Sequence, residues 1–230
     1  VGDIRDYESI KMALSGIDYV FHAAALKQVP TAEIFPIEAL KTNTIGAENL
    51  IKASKNSSVK KIVFLSTDKA VSPVNAMGMT KALMEKIVIS NSIILKKQKS
   101  NLKLCITRYG NVLGSRGSLL TVFNKQIQTK KPITITDLNM TRFVMTMDEA
   151  IDLVFFAFKN GENGDLFVRK APSATVETYL KSFLMLKKIK KYPFKIIGSR
   201  YGEKKHESLL NSEEYNQRIN KKKYFIKKLL

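Results

Sequence analysis

Short apolar runs of strand length alternate along this chain with amphipathic stretches of helix length. That alternation limits the possible folds more than any other feature. "DYVFHAAA" (18–25), "KKIVFLST" (60–67) and "LKLCITRYG" (102–110) read as strands. "PIEALKTNTIGAENLIKASK" (36–55), residues 76–96 and "SLLTVFNKQIQ" (118–128) read as helices, with apolar residues three or four apart. Strands this apolar are buried on both faces, as in a parallel sheet covered by helices. The repeated strand–helix order therefore predicts a doubly wound α/β fold. Past about residue 115 the pattern loosens. Strands over 132–137, 164–170 and 194–198 and helices over 147–158 and 175–186 predict a smaller mixed α/β lobe. From 212 onward the chain is polar and lysine-rich, as in a partly disordered tail. The expected division is a sheet domain over 1–115, mostly a second lobe over 116–214, and a basic tail over 215–230.

Of the 230 residues 44% are hydrophobic, enough to bury a real core. The lone cysteine, Cys105, rules out a disulfide framework, fits a reducing compartment and reads as a small core residue. There is no run of about 18 apolar residues and no signal-peptide pattern, so no membrane insertion and a cytoplasmic location are expected. The chain begins at Val1, as if inside a longer protein. A formal charge of +19 invites a nucleic-acid partner. The lysines are nevertheless dispersed, in clusters such as "LKKQKS" and "MLKKIKKY", with no zinc-finger spacing and no aromatic RNA-binding signature. Solvated lysine faces account for the charge, and no nucleic-acid partner is expected. Two histidines and one cysteine, far apart, are too few for a metal site.

In open α/β sheets ligands bind outside the carboxyl ends of the strands. "STDKA" puts Ser66, Thr67, Asp68 and Lys69 just past such an end. An aspartate beside a lysine there could serve as acid and base, and a capped turn accounts for the residues equally well. "HAAALKQVP" (22–30) ends another strand in small residues that permit close approach to a ligand; His22 itself reads as a core histidine. "GNVLGSRG" (110–117) has the wrong glycine spacing for a dinucleotide loop, but its amides and Arg116 could hold an anion. "MTRF" (140–143) and "SRYGEKKHES" (199–208) add arginines and carboxylates. Lys81 follows Met77 by four residues, on one face of the helix predicted there.

Together these motifs are more specific than any one alone. "GDIRD", "HAAALKQVP", "KTNTIGAENL", "FLSTDKAVSPVNAMGMTKALMEK", "TRYGNVLGSRGS", "MTRFVMTMDEAIDLV" and "YGEKKHESLLNSEE" stand in an order that resembles the extended short-chain dehydrogenase/reductases of polysaccharide biosynthesis. Within them the chain is similar to the UDP-N-acetylglucosamine 4,6-dehydratases that invert C5, in the capsule and O-antigen branch. The likeness covers about residues 1–214 and implies a Rossmann-like fold, tightly bound NADP or NAD, a UDP-sugar substrate and a homo-oligomer. It implies that Asp68 helps the C6 hydroxyl leave, that Lys69 is the base at C5, and that Thr67 holds the sugar or its 4-hydroxyl. Lys81 would bond the nicotinamide ribose. Met77 takes the place where relatives carry a tyrosine that does proton chemistry. Asp3 and Ile4 would flank the adenine, Ala23, Ala24 and Ala25 line the cofactor, and Lys27 reach toward cofactor or sugar. Asn43 matches a structural asparagine. Tyr109, Gly110 and Asn111 would lie beside the nicotinamide and sugar. Arg116, Arg142, Arg200 and Glu203 would grip the UDP diphosphate and uridine, since a diphosphate suits several fixed donors.

One departure stands against the likeness. The family opens with strand, glycine-rich loop and helix, whereas "VGDIRD" corresponds to the end of a third strand. Roughly 60–75 residues are then missing, judged from two βα units and a strand. The expectations that follow are an incomplete sheet with an apolar edge at 18–25, poor binding of NADP and low activity in this chain alone. A non-catalytic sugar-nucleotide binder and a related 4-epimerase are the alternatives.

Overall fold

The computed structural model of the protein describes residues 2–229. In chain order its elements are α1 (Tyr7–Ala13), β1 (Tyr19–His22), α2 (Val29–Ile34), α3 (Pro36–Leu40), α4 (Gly46–Lys55), β2 (Lys61–Thr67) and α5 (Ala76–Lys97). Then come β3 (Lys103–Tyr109), β4 (Asn111–Val112), α6 (Leu119–Gln128), β5 (Ile133–Ile135), β6 (Thr141–Met145), α7 (Met147–Asn160) and β7 (Leu166–Arg169). The last are β8 (Ser173–Thr175), α8 (Val176–Leu186), β9 (Phe194–Ile196), α9 (Ser212–Asn216), β10 (Ile219–Asn220) and β11 (Tyr224–Lys227). A π turn, Lys41–Ile45, joins α3 to α4, and a 3-10 turn, Asp68–Ala70, follows β2.

The chain divides into two compact units. The first runs to Tyr109 and adds Asp152–Lys170 and the residues from Ser208 on. Its sheet has the order β1-β2-β3-β7-β11-β10. The first four strands are parallel, and β11 and β10 continue the sheet antiparallel. Period-two geometry sorts β2 and β3 onto two faces. Ser66 and Arg108, paired in register, both hydrogen-bond to Glu85 of α5, so α5 covers one face. Val63 and Cys105 cluster with Leu153, Val154 and Ala157, so α7 covers the other. Ile62, Val63 and Phe64 are fully buried, which is why β2 reads as an unbroken apolar run. Each contributes about 1.5–3 kcal/mol of transfer free energy. As expected, β1 forms an edge, with Tyr19 and Phe21 exposed along it.

Two expectations are corrected. Residues 215–230 are not a disordered tail where the structure describes them: β11 pairs with β7, and Tyr224 and Ile226 are buried against the α7 face. Alternating apolar residues make this strand, and the surrounding lysines hid the period. The division at 115 also changes. The strand expected over 164–170 is β7, which lies in the main sheet between β3 and β11, so the first unit is discontinuous in sequence.

The second unit comprises Gly110–Ile151 and Ala171–Glu207. It holds a three-stranded sheet β4-β6-β8, a two-stranded sheet β5-β9, and helices α6 and α8. Its own core is built from Phe123, Ile133, Ile135, Met140, Val176, Leu180 and Phe183.

Candidate active site

The turn after β2 gathers polar groups in a buried place. Thr67, the last residue of β2, caps the 3-10 turn by accepting a hydrogen bond from the Lys69 amide at 3.3 Å. Its hydroxyl donates to Asp68 Oδ1 at 2.9 Å, and the Lys69 ammonium donates to the same oxygen at 3.0 Å. Asp68 is wholly buried, whereas the Lys69 side chain is 21% exposed. The other oxygen, Asp68 Oδ2, is buried with no hydrogen-bond partner among the described residues. A buried carboxylate oxygen without a donor is costly, so the site is built to accept one more hydrogen bond.

Helix α5 brings the next residues to that turn. It starts at the cap Asn75, whose side chain accepts from the Gly78 amide at 2.8 Å. The Ala76 amide donates to the Glu33 carboxylate of α2 at 2.6 Å, so a negative charge sits at the positive end of the helix. One turn on, Met77 is buried among Ala32 of α2, Ala39 of α3 and their apolar neighbours. Lys81 is 5% exposed. Its ammonium donates to the Leu65 carbonyl of β2 at 2.8 Å and to Met84 Sδ at 3.6 Å. Burial pulls its pKa down to about 8, against the opposing pull of Glu85. His22, at the end of β1, lies edge-on to Phe64, and its Nε2 has no partner among the described residues. Burial, and then the Lys81 charge, push His22 down to about 3, so it is neutral.

Asn43 occupies the π turn, whose widened backbone aims it inward. Its amide clamps Leu26, accepting from the Leu26 amide at 2.8 Å and donating to the Leu26 carbonyl at 3.1 Å. It also donates to Thr80 of α5 at 3.0 Å. The clamp holds the loop after β1, where Ala23, Ala24, Ala25 and Lys27 are exposed. Tyr109, paired in register with Thr67, ends β3, and burial pushes its phenol up to about 12. At the amino end Ile4 lies against Gly46. The Asp3 carboxylate accepts from Arg5, which holds its pKa down at about 2.

In the second unit Asn111 lies on β4 with its Oδ1 buried and without a partner among the described residues. Arg116 is exposed between Gly114 and Gly117, both with positive φ. Arg142 of β6 donates to the Thr141 carbonyl at 2.8 Å and the Lys205 carbonyl at 3.3 Å. Thr141 meets His206 at 2.9 Å. Arg200 and Glu203 share one turn: the Arg200 amide donates to the Glu203 carboxylate at 3.2 Å. These contacts bring the 200–206 segment alongside β6.

The expected residues Thr67, Asp68, Lys69 and Tyr109 thus meet around the ends of β2 and β3, with Lys81 bonded to β2 behind them, while Asn43 holds the loop after β1. Glu33, Ser66, Gly78, Glu85 and Arg108 were not singled out from the sequence, apart from Ser66 as part of its turn. Arg108 carried a usable signal, a charged residue inside an apolar strand. Among the described residues no cluster of three His, Cys, Asp or Glu side chains could hold a metal ion, and no helix is long and apolar enough to cross a membrane.

The profile of a polysaccharide biosynthesis protein family matches residues 1–229. The UDP-glucose 4-epimerase of Rickettsia felis is 50% identical over 216 residues, which are 93% of this chain and 62% of the relative. The chain therefore spans less than two thirds of the length of such curated relatives. The X-ray structure of Pen from Bacillus thuringiensis is 37% identical, with a TM-score of 0.94 over 99% of this chain and 71% of that one. DesIV, a dTDP-glucose 4,6-dehydratase from Streptomyces venezuelae solved with NAD and TYD bound, is 18% identical. Its TM-score of 0.82, over 94% of this chain and 71% of that one, shows a shared Rossmann-like α/β fold. The chain belongs to the polysaccharide biosynthesis protein family.

Proposed function

We propose that this member of the polysaccharide biosynthesis protein family carries the machinery of a nucleotide-sugar 4,6-dehydratase that inverts C5 of UDP-N-acetylglucosamine. One observation carries the reading: Asp68 and Lys69 share a 3.0 Å hydrogen bond at the end of β2, beside a carboxylate oxygen with no partner among the described residues. Elimination across C5 and C6 needs an acid and a base side by side. Epimerisation at C4 alone needs neither a base at C5 nor an acid at C6. The exposed Ala23–Ala25 loop and the buried Lys81 fit the nicotinamide end of a dinucleotide such as NAD or NADP. No G-x-G-x-x-G loop for its pyrophosphate occurs in these 230 residues. When bound, that group supplies a hydride acceptor at C4 and later returns the hydride to C6.

The chain's own residues then handle protons and position. The Asp68–Lys69 pair shares one proton along its hydrogen bond. Moving it from Nζ to Oδ1 leaves a neutral acid beside a neutral amine, with no net charge added to a buried place. Oxidation at C4 also releases the 4-hydroxyl proton, which passes to solvent; the resulting ketone makes the C5 proton acidic, and that proton passes to the Lys69 amine. The C6–O bond breaks as Asp68 gives its proton to the departing hydroxyl, which leaves as water. With hydride restored at C6, solvent water gives C5 a proton on the face opposite Lys69, which yields the inverted product. In the first unit Thr67 holds the 4-hydroxyl and Tyr109 lines the sugar. In the second unit Asn111 suits a sugar, and Arg116, Arg142, Arg200 and Glu203 supply groups that suit a nucleotide diphosphate and uridine.

A second reading is a UDP-sugar 4-epimerase, favoured by the name of the 50%-identical Rickettsia relative. Incubating the full-length protein in D2O with UDP-N-acetylglucosamine and with UDP-glucose separates the two. Loss of one water from UDP-N-acetylglucosamine with deuterium at C5 supports the dehydratase. An isomer of unchanged mass, without deuterium at C5, overturns it in favour of the epimerase.

A further inference from the structure

Four charges are gathered behind the active turn. Arg108 of β3 is 2% exposed and cannot lie there unpaired. Its guanidinium donates to Glu85 of α5, through Nε at 3.0 Å, and to Glu214 of α9, through Nη1 at 2.8 Å; it also donates to the Leu209 carbonyl at 3.0 Å. Two carboxylates on one guanidinium leave one negative charge in excess. Lys81, four residues before Glu85 and so on the same side of α5, adds a positive charge on the Glu85 side, and Lys227 of β11 adds one on the Glu214 side. The titratable groups around Lys81 are Glu85 on the same helix and neutral His22 from β1; beyond Glu85 come Arg108 from β3, Glu214 from α9 and, beside Glu214, Lys227 from β11.

Glu85 also reaches the reacting turn. Ser66 Oγ donates to Glu85 Oε1, the same oxygen that receives Arg108 Nε. Ser66 directly precedes Thr67 and Asp68. Its hydrogen bond ties the end of β2 to α5 just before the chain leaves the sheet. A short polar link at that point limits where the Thr67 hydroxyl and the Asp68 carboxylate can go.

We propose that Glu85 is a positioning residue of this site: through Ser66 it holds the end of β2 that carries Thr67 and Asp68, and its charge balances the ammonium of Lys81. The inference rests on reading Thr67, Asp68 and Lys81 as the reacting machinery. Glu214 completes the arrangement from the C-terminal segment, oriented by its capping box with Asn211.

The test uses nuclear magnetic resonance of the labelled Lys81 ammonium across pH, with amide hydrogen exchange at Thr67–Lys69. Glu85→Gln shifts Lys81 titration to lower pH and speeds exchange at those amides by about tenfold, the factor one ordinary hydrogen bond supplies. Ser66→Ala speeds the exchange and leaves the titration in place; it decides the question if Glu85→Gln does not fold. An unmoved Lys81 titration in folded Glu85→Gln, or unchanged exchange in Ser66→Ala, overturns the proposal. Neither readout needs substrate. Absence of dehydration by the full-length wild type would sink the proposed function, and the two readouts above would then still report whether Glu85 holds the end of β2 and sets the Lys81 charge. Turnover by the wild type with an unaltered kcat and pH profile in Glu85→Gln would sink this inference and leave the proposed function standing.

Discussion

The backbone of α5 at Gly78 presses on the carbonyl oxygen of Lys69: a Cβ added to Gly78 would stand 2.3 Å from that oxygen. No side chain fits there, so the helix that carries Lys81 and the turn that carries Asp68 and Lys69 are seated directly on one another. Gly78→Ala must force them apart. The expected result is a destabilisation of about 1–3 kcal/mol, as in other overpacked sites, with a fall in kcat larger than the change in KM. Urea denaturation and steady-state kinetics on the full-length protein measure both. A Gly78→Ala protein with unchanged kcat would show that the contact does not matter to the chemistry.

Lys69 and Met77 separate chemistry from packing. Lys69→Ala is expected to abolish deuterium exchange at C5 while UDP-sugar binding persists, because it removes the base and its hydrogen bond to Asp68 but none of the residues proposed to hold the nucleotide. Met77→Leu keeps the volume of the cluster with Ala32 and Ala39 and should cost less than about 1.5 kcal/mol with substantial turnover left. Met77→Ala opens a cavity there and should cost about 2–5 kcal/mol. Loss of all activity in a folded Met77→Leu protein would overturn the assignment of Met77 to packing.

Lys81 lies where its charge is expensive. Its pKa of about 8 is below the ordinary 10.5 because of burial. Between those values the unfolded chain holds the proton and the folded chain does not, so stability rises with pH across that window. The wild type should therefore gain stability relative to Lys81→Met as pH rises from about 8 to 10.5, and Lys81→Met should lose turnover. Thermal melts of both proteins across that range check the sign; a difference in stability that does not change with pH would contradict it.

His22 makes the acid side sensitive. Burial lowers its pKa from 6.5 to about 3, so below 6.5 the unfolded chain gains a proton that the folded chain refuses. Stability is lost as pH falls from 6.5 towards 3. His22→Phe, which keeps an aromatic ring beside Phe64, should flatten that acid limb. Equal slopes for the two proteins in urea midpoints measured across this range would show that other groups set it.

Much of this molecule was readable before its structure. β2 and β3 announce themselves as apolar runs because each is buried on both faces, and Thr67, Asp68 and Lys69 are read off as the turn beyond a strand end. Other features were hidden by distance along the chain. Glu85, Arg108 and Glu214 meet only when α5, β3 and α9 are packed, and Glu33 caps α5 from a helix 43 residues earlier. β11 was hidden for a different reason: Tyr224 and Ile226 alternate as a strand should, but the lysines around them read as a solvated tail.

The sequence by itself determined the order of the parallel strands' hydrophobic runs, the helical spacing of Met77 and Lys81, and the adjacency of Asp68 to Lys69. These are local properties, set by neighbours in the chain and by backbone periodicity. The tertiary structure decided what those residues can do. It left Asp68 Oδ2 without a donor among the described residues, buried Lys81, and set Arg108 between two carboxylates. Desolvation and charge pairing depend on what the rest of the chain brings alongside, and no short stretch of sequence contains that.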